Sequence, residues 1–103
     1  RIQCPELKLS KFTGNQNQIT FAVQVSASSR KLTKHDLKFI YCGSHSVHEH
    51  HIGQWYKYAV GSFSNYEQAA ALKKTICVPG AFVVAYKGDE QLDIKQAINQ
   101  SKR

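Results

Sequence analysis

The segment Trp55–Lys74 (WYKYAVGSFSNYEQAAALKK) changes its hydrophobic period halfway along, and this change restricts the fold more than any other feature of the sequence. Residues 55–63 are rich in aromatic and β-branched side chains that nearly alternate, which is typical of a strand buried on one face. A Gly-Ser pair interrupts the pattern, and Ser64 then precedes Glu67 at the spacing of a capping box. Apolar residues recur afterwards at helical spacing. The segment therefore predicts a strand, a tight turn and a capped helix.

A weaker copy of the same pattern occurs earlier in the chain. Ile19–Ser28 (ITFAVQVSAS) has the composition of a strand, and Thr33 precedes Asp36 at capping-box spacing in front of a helical apolar face. When the two copies are aligned, Gln24 corresponds to Ala59. Each strand–helix unit needs a further strand to return to, so the repeat predicts an α+β domain of βαββαβ topology.

Length and composition favour one folded domain. The 103 residues are 42% hydrophobic, which argues against disorder. No apolar run approaches the roughly 18–20 residues that a membrane-spanning helix needs. The net charge of +7 favours anionic partners, although a basic balance also serves solubility. We expect residues 1–17 to form a lead-in, 18–98 the domain and 99–103 a C-terminal tail.

Hydrophobic patterning along the whole chain predicts four main strands and three helices. The strands are expected at about 18–28, 44–51, 55–63 and 81–87, and the helices at about 34–42, 65–76 and 94–99. Two short extended pieces are expected at 6–12 and 91–92, and Asp93 is expected to cap the last helix.

Strict alternation within the strands assigns polar residues to faces of the sheet. In the first strand, Gln24 and Ser26 fall on one face. In the third strand, Trp55, Lys57 and Ala59 fall on one face, and the alignment of the two repeats makes it the face of Gln24. The sequence therefore predicts an open sheet surface that carries an aromatic ring, a cation and an amide.

Four histidines lie close together in the segment 44–51 (SHSVHEHH). His48 and His50 are two residues apart and would share one face of the second strand, which is half of a zinc or copper site. The sequence fixes no further ligand nearby, so we predict no metal and expect an exposed strand with titratable imidazoles.

The chain contains three cysteines, at positions 4, 42 and 77, and their spacing matches no metal site. Cys42 and Cys77 each lie near the end of a predicted helix. If both helices cover the same face of the sheet, the two side chains come close. The sequence then allows two interpretations, a Cys42–Cys77 disulfide or two buried thiols.

Three stretches resemble the SPOR domain, the sporulation-related repeat of bacterial cell-envelope proteins, in the form found in Bacteroidetes. They are VQVSASS at 23–29, WYKYAVGSFSNYEQAAALKK at 55–74 and GAFVVAYKGDEQLDIKQAI at 80–98, so the resemblance covers most of the chain. It implies a ferredoxin- or RNP-like βαββαβ fold with a four-stranded antiparallel sheet and the helices on one face. Family members bind peptidoglycan glycan strands stripped of their stem peptides, without catalytic activity, and we expect no cofactor.

The resemblance also implies a binding surface on the sheet face away from the helices. It uses a Gln in the first strand, small polar residues after it and a Trp at the start of the third strand; here Gln24, Ser26, Ser28 and Trp55 match. Ser26 and Ser28 depart from the Gly and Phe that are usual in the family. Lys57, on the face of Trp55, would favour the carboxylates of muramic acid.

The implied location is the periplasm or cell envelope, with enrichment at the division septum, where a monomer or weak dimer would target a larger parent protein such as an amidase.

Two alternatives to this function stay open. The same topology serves modules that bind RNA or single-stranded nucleic acid, although their signature R/K-G-F/Y-G/A-F-V-x-F/Y is missing. A protein-interaction module would use the sheet face or an edge strand. No pair of carboxylates is placed as acid and base, so we predict no enzyme.

Overall fold

The computed structural model describes residues 7–11, 18–43, 45–76, 78–88 and 90–101, which form an α+β fold with one mixed sheet and three helices. The strands are β1 (Leu9–Lys11), β2 (Ile19–Ser28), β3 (Val47–Ile52), β4 (Trp55–Phe63), β5 (Phe82–Lys87) and β6 (Glu90–Leu92). The helices are α1 (Lys34–Lys38), α2 (Tyr66–Ile76) and α3 (Ile94–Ser101). Within these described ranges, no helix has the length and apolar character that a bilayer crossing requires.

The sheet has the strand order β1-β3-β4-β2-β5-β6. Its four inner strands are antiparallel to their neighbours and follow one another as βαββαβ. At the edges, β1 pairs with β3 in parallel and β6 pairs with β5 antiparallel. The sheet is therefore six-stranded and mixed, and the expected four-stranded antiparallel sheet was too simple. The cause at one edge is Leu7 and Leu9, whose side chains pack into the core and hold β1 against β3.

All three helices cover the same face of the sheet. Each helix contributes buried apolar residues, which are Leu37 from α1, Ala69 and Leu72 from α2, and Ala97 from α3. They pack against strand residues that point to that side, namely Phe21, Val23, Val47, Tyr58, Val60 and Ala85. In the described part of the chain, no helix covers the other side, which we call the helix-free face. Its buried residues include Ala22, Ala59, Val84 and Tyr86.

The capping box predicted for α1 is present. The Asp36 backbone N–H donates to Thr33 Oγ1 at 3.2 Å, and the Thr33 N–H donates to Asp36 Oδ2 at 3.0 Å. However, α1 ends at Lys38 and not near residue 42. The chain leaves the helix because it tightens into a turn, in which the Ile40 N–H donates to the Leu37 carbonyl at 3.0 Å, and because Tyr41 then enters the core.

The helix α2 begins one residue later than predicted. The Gln68 N–H donates to Asn65 Oδ1 at 2.9 Å, so Asn65 is the capping residue and Ser64 is not. Before this helix, β4 contains one extra residue, because its step from Val60 to Phe63 faces a two-residue step in β2. Gly61 supplies the backbone for this bulge with φ of +85°.

The remaining predictions concern the C-terminal segment and the cysteines. The Gln96 N–H donates to Asp93 Oδ2 at 3.4 Å, as expected for a cap, and α3 then runs to Ser101, beyond the predicted end at 99. Cys42 is disulfide-bonded. Cys4 and Cys77 lie outside the described residues, so the Cys42–Cys77 pairing stays a prediction.

Candidate functional site

The register of the sheet brings three of the predicted site residues onto the helix-free face. Gln24 of β2 lies opposite Ala59 of β4, a residue of the cluster buried on that face. Trp55 and Lys57 alternate with Ala59 along β4 and therefore point to the same side. The predicted combination of an indole, an ammonium and an amide on one face is thus present in the structure.

A β-bulge removes the two serines from this group. Gln24 pairs with Ala59, but Ser26 pairs with Tyr58, so Val25 is an extra residue in β2. Directly opposite residues of an antiparallel pair share a face, and Tyr58 belongs to the core beneath the helices. Ser26 therefore lies on the helix side, and so does Ser28. The expectation that Gln24 and Ser26 share a face is wrong, because it assumed unbroken alternation.

The centre of the helix-free face is closed by two stacked rings. The imidazole of His50, on β3, and the phenol of Tyr86, on β5, have ring centroids 3.6 Å apart and planes inclined by 8°. Two central strands separate β3 from β5. The rings meet because the central strands carry the small residues Ala22 and Ala59 on this face.

A second contact crosses the same face nearby. Lys57 Nζ, on β4, donates to Gln91 Oε1, on β6, at 2.8 Å. Two strands, β2 and β5, lie between them. The ammonium is thereby held over the sheet by a neutral acceptor, and an anionic ligand would be a stronger acceptor for it.

Gln24 is the buried polar residue of the face, with 7% of its surface exposed. Its Oε1 is buried, and no hydrogen-bond donor for that atom is found among the described residues. A buried carbonyl oxygen without a donor costs on the order of 1–3 kcal/mol of stability, so its presence calls for an explanation.

Trp55 lies at the end of the β3–β4 hairpin, opposite Ile52. The indole is 51% exposed, unlike the buried rings of His50 and Tyr86. Since Lys57 follows two residues later on the same face, this end of β4 is an accessible part of the helix-free face.

His48 and His50 share one face of β3, as predicted, and this is the helix-free face. The strand was expected to be exposed, but it is largely buried. His50 is only 5% exposed, and burial lowers its pKa to about 4. His48 is half-buried, its Nδ1 is hydrogen-bonded to Ser10 Oγ at 3.3 Å, and burial lowers its pKa as well. Within the described ranges, no group of three metal-ligating side chains includes these two histidines.

Tyr86 and Gln91 belong to this face and were not predicted there. Alternation along Phe82–Lys87 would have placed Tyr86 with Val84, on the side opposite Val83. The contact between Lys57 and Gln91 depends on the final strand order, because β6 lies three positions away from β4. A local sequence pattern contains no signal for such a contact.

Comparisons of the chain with models of known protein families, with curated proteins and with solved structures find no match.

Proposed function

We propose that this domain is a non-catalytic, SPOR-like module that binds denuded peptidoglycan glycan strands and so targets its parent protein to the cell wall or division septum. The observation that carries the proposal is the exposed indole of Trp55 on the same sheet face as Lys57 and the buried amide of Gln24. The proposed contact set is Gln24, Trp55 and Lys57. Ser26 and Ser28 are left out, because the bulge at Val25 directs them to the helix side.

The three side chains match the chemistry of a glycan. Sugar rings offer apolar C–H faces that stack on an indole, and hydroxyl and N-acetyl groups that hydrogen-bond to amides. Trp55 supplies the stacking surface. Lys57 would exchange its bond to the neutral amide of Gln91 for a bond to a muramic acid carboxylate, in which both partners are charged. A sugar hydroxyl would supply the donor that Gln24 Oε1 lacks, once the side chains around it move.

The disulfide at Cys42 supports the proposed location in the cell envelope or periplasm. Disulfides persist in oxidising compartments such as the bacterial periplasm and are rare in the reducing cytosol. The net charge of +7 further suits a polymer that carries regularly spaced carboxylates.

The test is a pull-down with purified sacculi, before and after amidase treatment that removes the stem peptides. We expect retention to rise after treatment and to fall about tenfold for Trp55→Ala, which corresponds to roughly 1.4 kcal/mol. The matched control is Phe39→Ala, because Phe39 is an aromatic residue at the end of α1 with 80% of its surface exposed. This variant should be retained like the unchanged protein.

An RNA homopolymer in a parallel pull-down separates the proposed function from the nucleic-acid alternative. Binding to RNA that depends on Trp55, without retention on either form of sacculus, would replace the glycan proposal by that alternative. Retention on neither polymer would contradict both and would favour a protein partner for the helix-free face.

A further inference from the structure

A cavity of about 360 Å³ lies on the helix side of the sheet, at the edge formed by β1 and β3. Its principal lining residues are Leu9, Lys11, Lys31, Glu49, His51 and Tyr56, and we call it the edge cavity. The helix α2 packs on β2, β4 and β5 and leaves this edge uncovered. The edge cavity therefore lies on the face opposite to Trp55 and Gln24.

Glu49 provides a buried negative charge in the edge cavity. The residue is 7% exposed, and its Oε2 accepts a hydrogen bond from the Tyr58 hydroxyl at 2.9 Å. Its Oε1 lies 3.9 Å from Lys31 Nζ, which is beyond hydrogen-bonding distance, and no other bond to Oε1 is found among the described residues. A carboxylate oxygen without a close donor is a strong acceptor for a charged donor that enters the cavity.

Two lysines place positive charge beside this carboxylate. Lys11 of β1 is in register with Glu49 of β3, and Lys31 approaches from the segment before α1. Both lysines are exposed and line the edge cavity. The cavity therefore offers one deep negative group and two outer positive groups.

Ser10, Leu9 and two aromatic rings complete the wall. The imidazole of His51 stacks on the ring of Tyr56, with centroids 4.3 Å apart and planes inclined by 6°. Leu9 adds an aliphatic surface from β1. The volume is near the lower end of the range of roughly 300–1,000 Å³ that holds small molecules.

We propose that the edge cavity binds free α-amino acids as zwitterions. The ligand ammonium donates to Glu49 Oε1, and the ligand carboxylate accepts from Lys31 and Lys11. Each charge of the ligand then lies beside a protein charge of opposite sign. A simple anion would leave Glu49 without a cationic ligand group, and a simple cation would leave the two lysines without an anionic one. The ligand side chain lies against Leu9 and the stacked rings of His51 and Tyr56. This site is independent of the proposed glycan function.

The first test compares a zwitterion with its two halves in NMR titrations of the ¹⁵N-labelled protein. L-alanine should shift the backbone amide signals of Lys31, Glu49 and His51, whereas acetate and methylammonium should bind at least about tenfold more weakly, a difference of roughly 1.4 kcal/mol. Acetate binding as tightly as L-alanine would reduce the edge cavity to an anion site and overturn the proposal. So would the absence of any shift with L-alanine.

The second test removes the buried charge. Glu49→Gln keeps the size of the side chain and an acceptor for Tyr58, and it should weaken L-alanine binding at least tenfold. The control is Glu90→Gln, an exposed carboxylate on β6 at the opposite edge of the sheet. If Glu49→Gln does not fold, Lys31→Ala decides, because this exposed side chain should weaken the binding of L-alanine without unfolding the protein. Unchanged binding in a folded Glu49→Gln or Lys31→Ala variant would contradict the proposal.

Discussion

The imidazole of His50 lies parallel to the phenol ring of Tyr86, with their centroids 3.6 Å apart. This contact joins two strands that are not neighbours, and it buries the middle of the helix-free face. Burial raises the pKa of Tyr86 and lowers that of His50, so both side chains are held in their neutral forms. A ligand of this face therefore meets a closed, neutral centre and an accessible end at Trp55.

Acidification should destabilise the protein through His50. Burial, followed by the positive charges of His48 and Lys57, lowers the pKa of His50 from 6.5 to about 4. Because the pKa is lower in the folded state, the unfolded chain binds the proton more readily between these two values. The free energy of unfolding should therefore fall as the pH falls from about 6.5 to about 4, by at most about 1.4 kcal/mol per pH unit from this group.

Urea unfolding at a series of pH values measures this dependence. In His50→Gln, the free energy of unfolding should depend less on pH in that interval. His35→Gln, which changes an exposed histidine of α1, should show the same pH dependence as the original protein. An unchanged slope in His50→Gln would assign the pH dependence to other groups.

Gln24→Met should separate stability from binding. Methionine has a similar volume but no oxygen that needs a donor, so the free energy of unfolding should stay within about 1 kcal/mol of the original value or rise. Retention on amidase-treated sacculi should fall, since the amide is lost. Chemical denaturation and the pull-down measure the two effects on the same preparation. A variant that is retained fully would exclude Gln24 from the glycan contacts.

Tyr58→Phe should destabilise the core without changing its shape. The Tyr58 hydroxyl donates to Glu49 Oε2 at 2.9 Å and accepts from the Leu32 N–H at 2.7 Å. Burial is the main cause that raises the pKa of Tyr58, to about 12, so the hydroxyl keeps the proton that it donates. Its removal leaves a buried N–H and a buried carboxylate oxygen without this partner, and we expect a loss of about 2–4 kcal/mol in urea denaturation.

The matched control for this variant is Tyr66→Phe. Tyr66 is a half-buried tyrosine of α2 whose ring contacts Phe21 edge-on, and in the described part of the structure its hydroxyl forms no hydrogen bond. Equal losses in the two variants would show that the bonds of Tyr58 contribute nothing specific.

Gly61→Ala should cost more stability than Gly53→Ala. Both glycines have positive φ, +85° and +60°, so alanine strains the backbone at either position. A Cβ at Gly61 would also come within 2.6 Å of the Phe63 ring and 2.9 Å of Leu72 Cδ2, whereas a Cβ at Gly53 meets nothing within 4 Å. We expect a loss of about 1 kcal/mol for Gly53→Ala and about 1–3 kcal/mol more for Gly61→Ala. Thermal unfolding of the two variants would refute this if their midpoints were equal.

The sequence predicted those parts of the fold whose causes are local. The capping box of Thr33 and Asp36 involves residues three apart, and the strand–helix repeat depends on the change of hydrophobic period within short segments. The end of α1 was missed because Tyr41 leaves the helix to pack in a core made by distant strands. Tertiary packing of this kind overrides local helix propensity.

The candidate site was predicted less completely than the fold. Trp55, Lys57 and Gln24 were placed together correctly because alternation is regular along β4 from Trp55 to Val60 and along β2 as far as Gln24. Ser26 was misplaced because a bulge depends on how two strands pair, and the residues of β2 contain no local signal that predicts this bulge. The stack of His50 on Tyr86 and the bond from Lys57 to Gln91 follow from strand order, which a local pattern does not contain.

The extra residue at Val25 reverses, along β2, the rule for which residues face which side of the sheet. Before it, even-numbered residues such as Gln24 point away from the helices; after it, even-numbered residues such as Ser28 point towards them. The same strand therefore places the Gln24 amide on the helix-free face and, four residues later, the Ser28 hydroxyl on the helix side. This hydroxyl accepts a hydrogen bond from the Arg30 N–H at 3.1 Å. Deleting Val25 would turn the pairing of β2 with β4 at this point into a regular ladder, and both serines would stay on the helix side, because Ser26 would then directly follow Gln24.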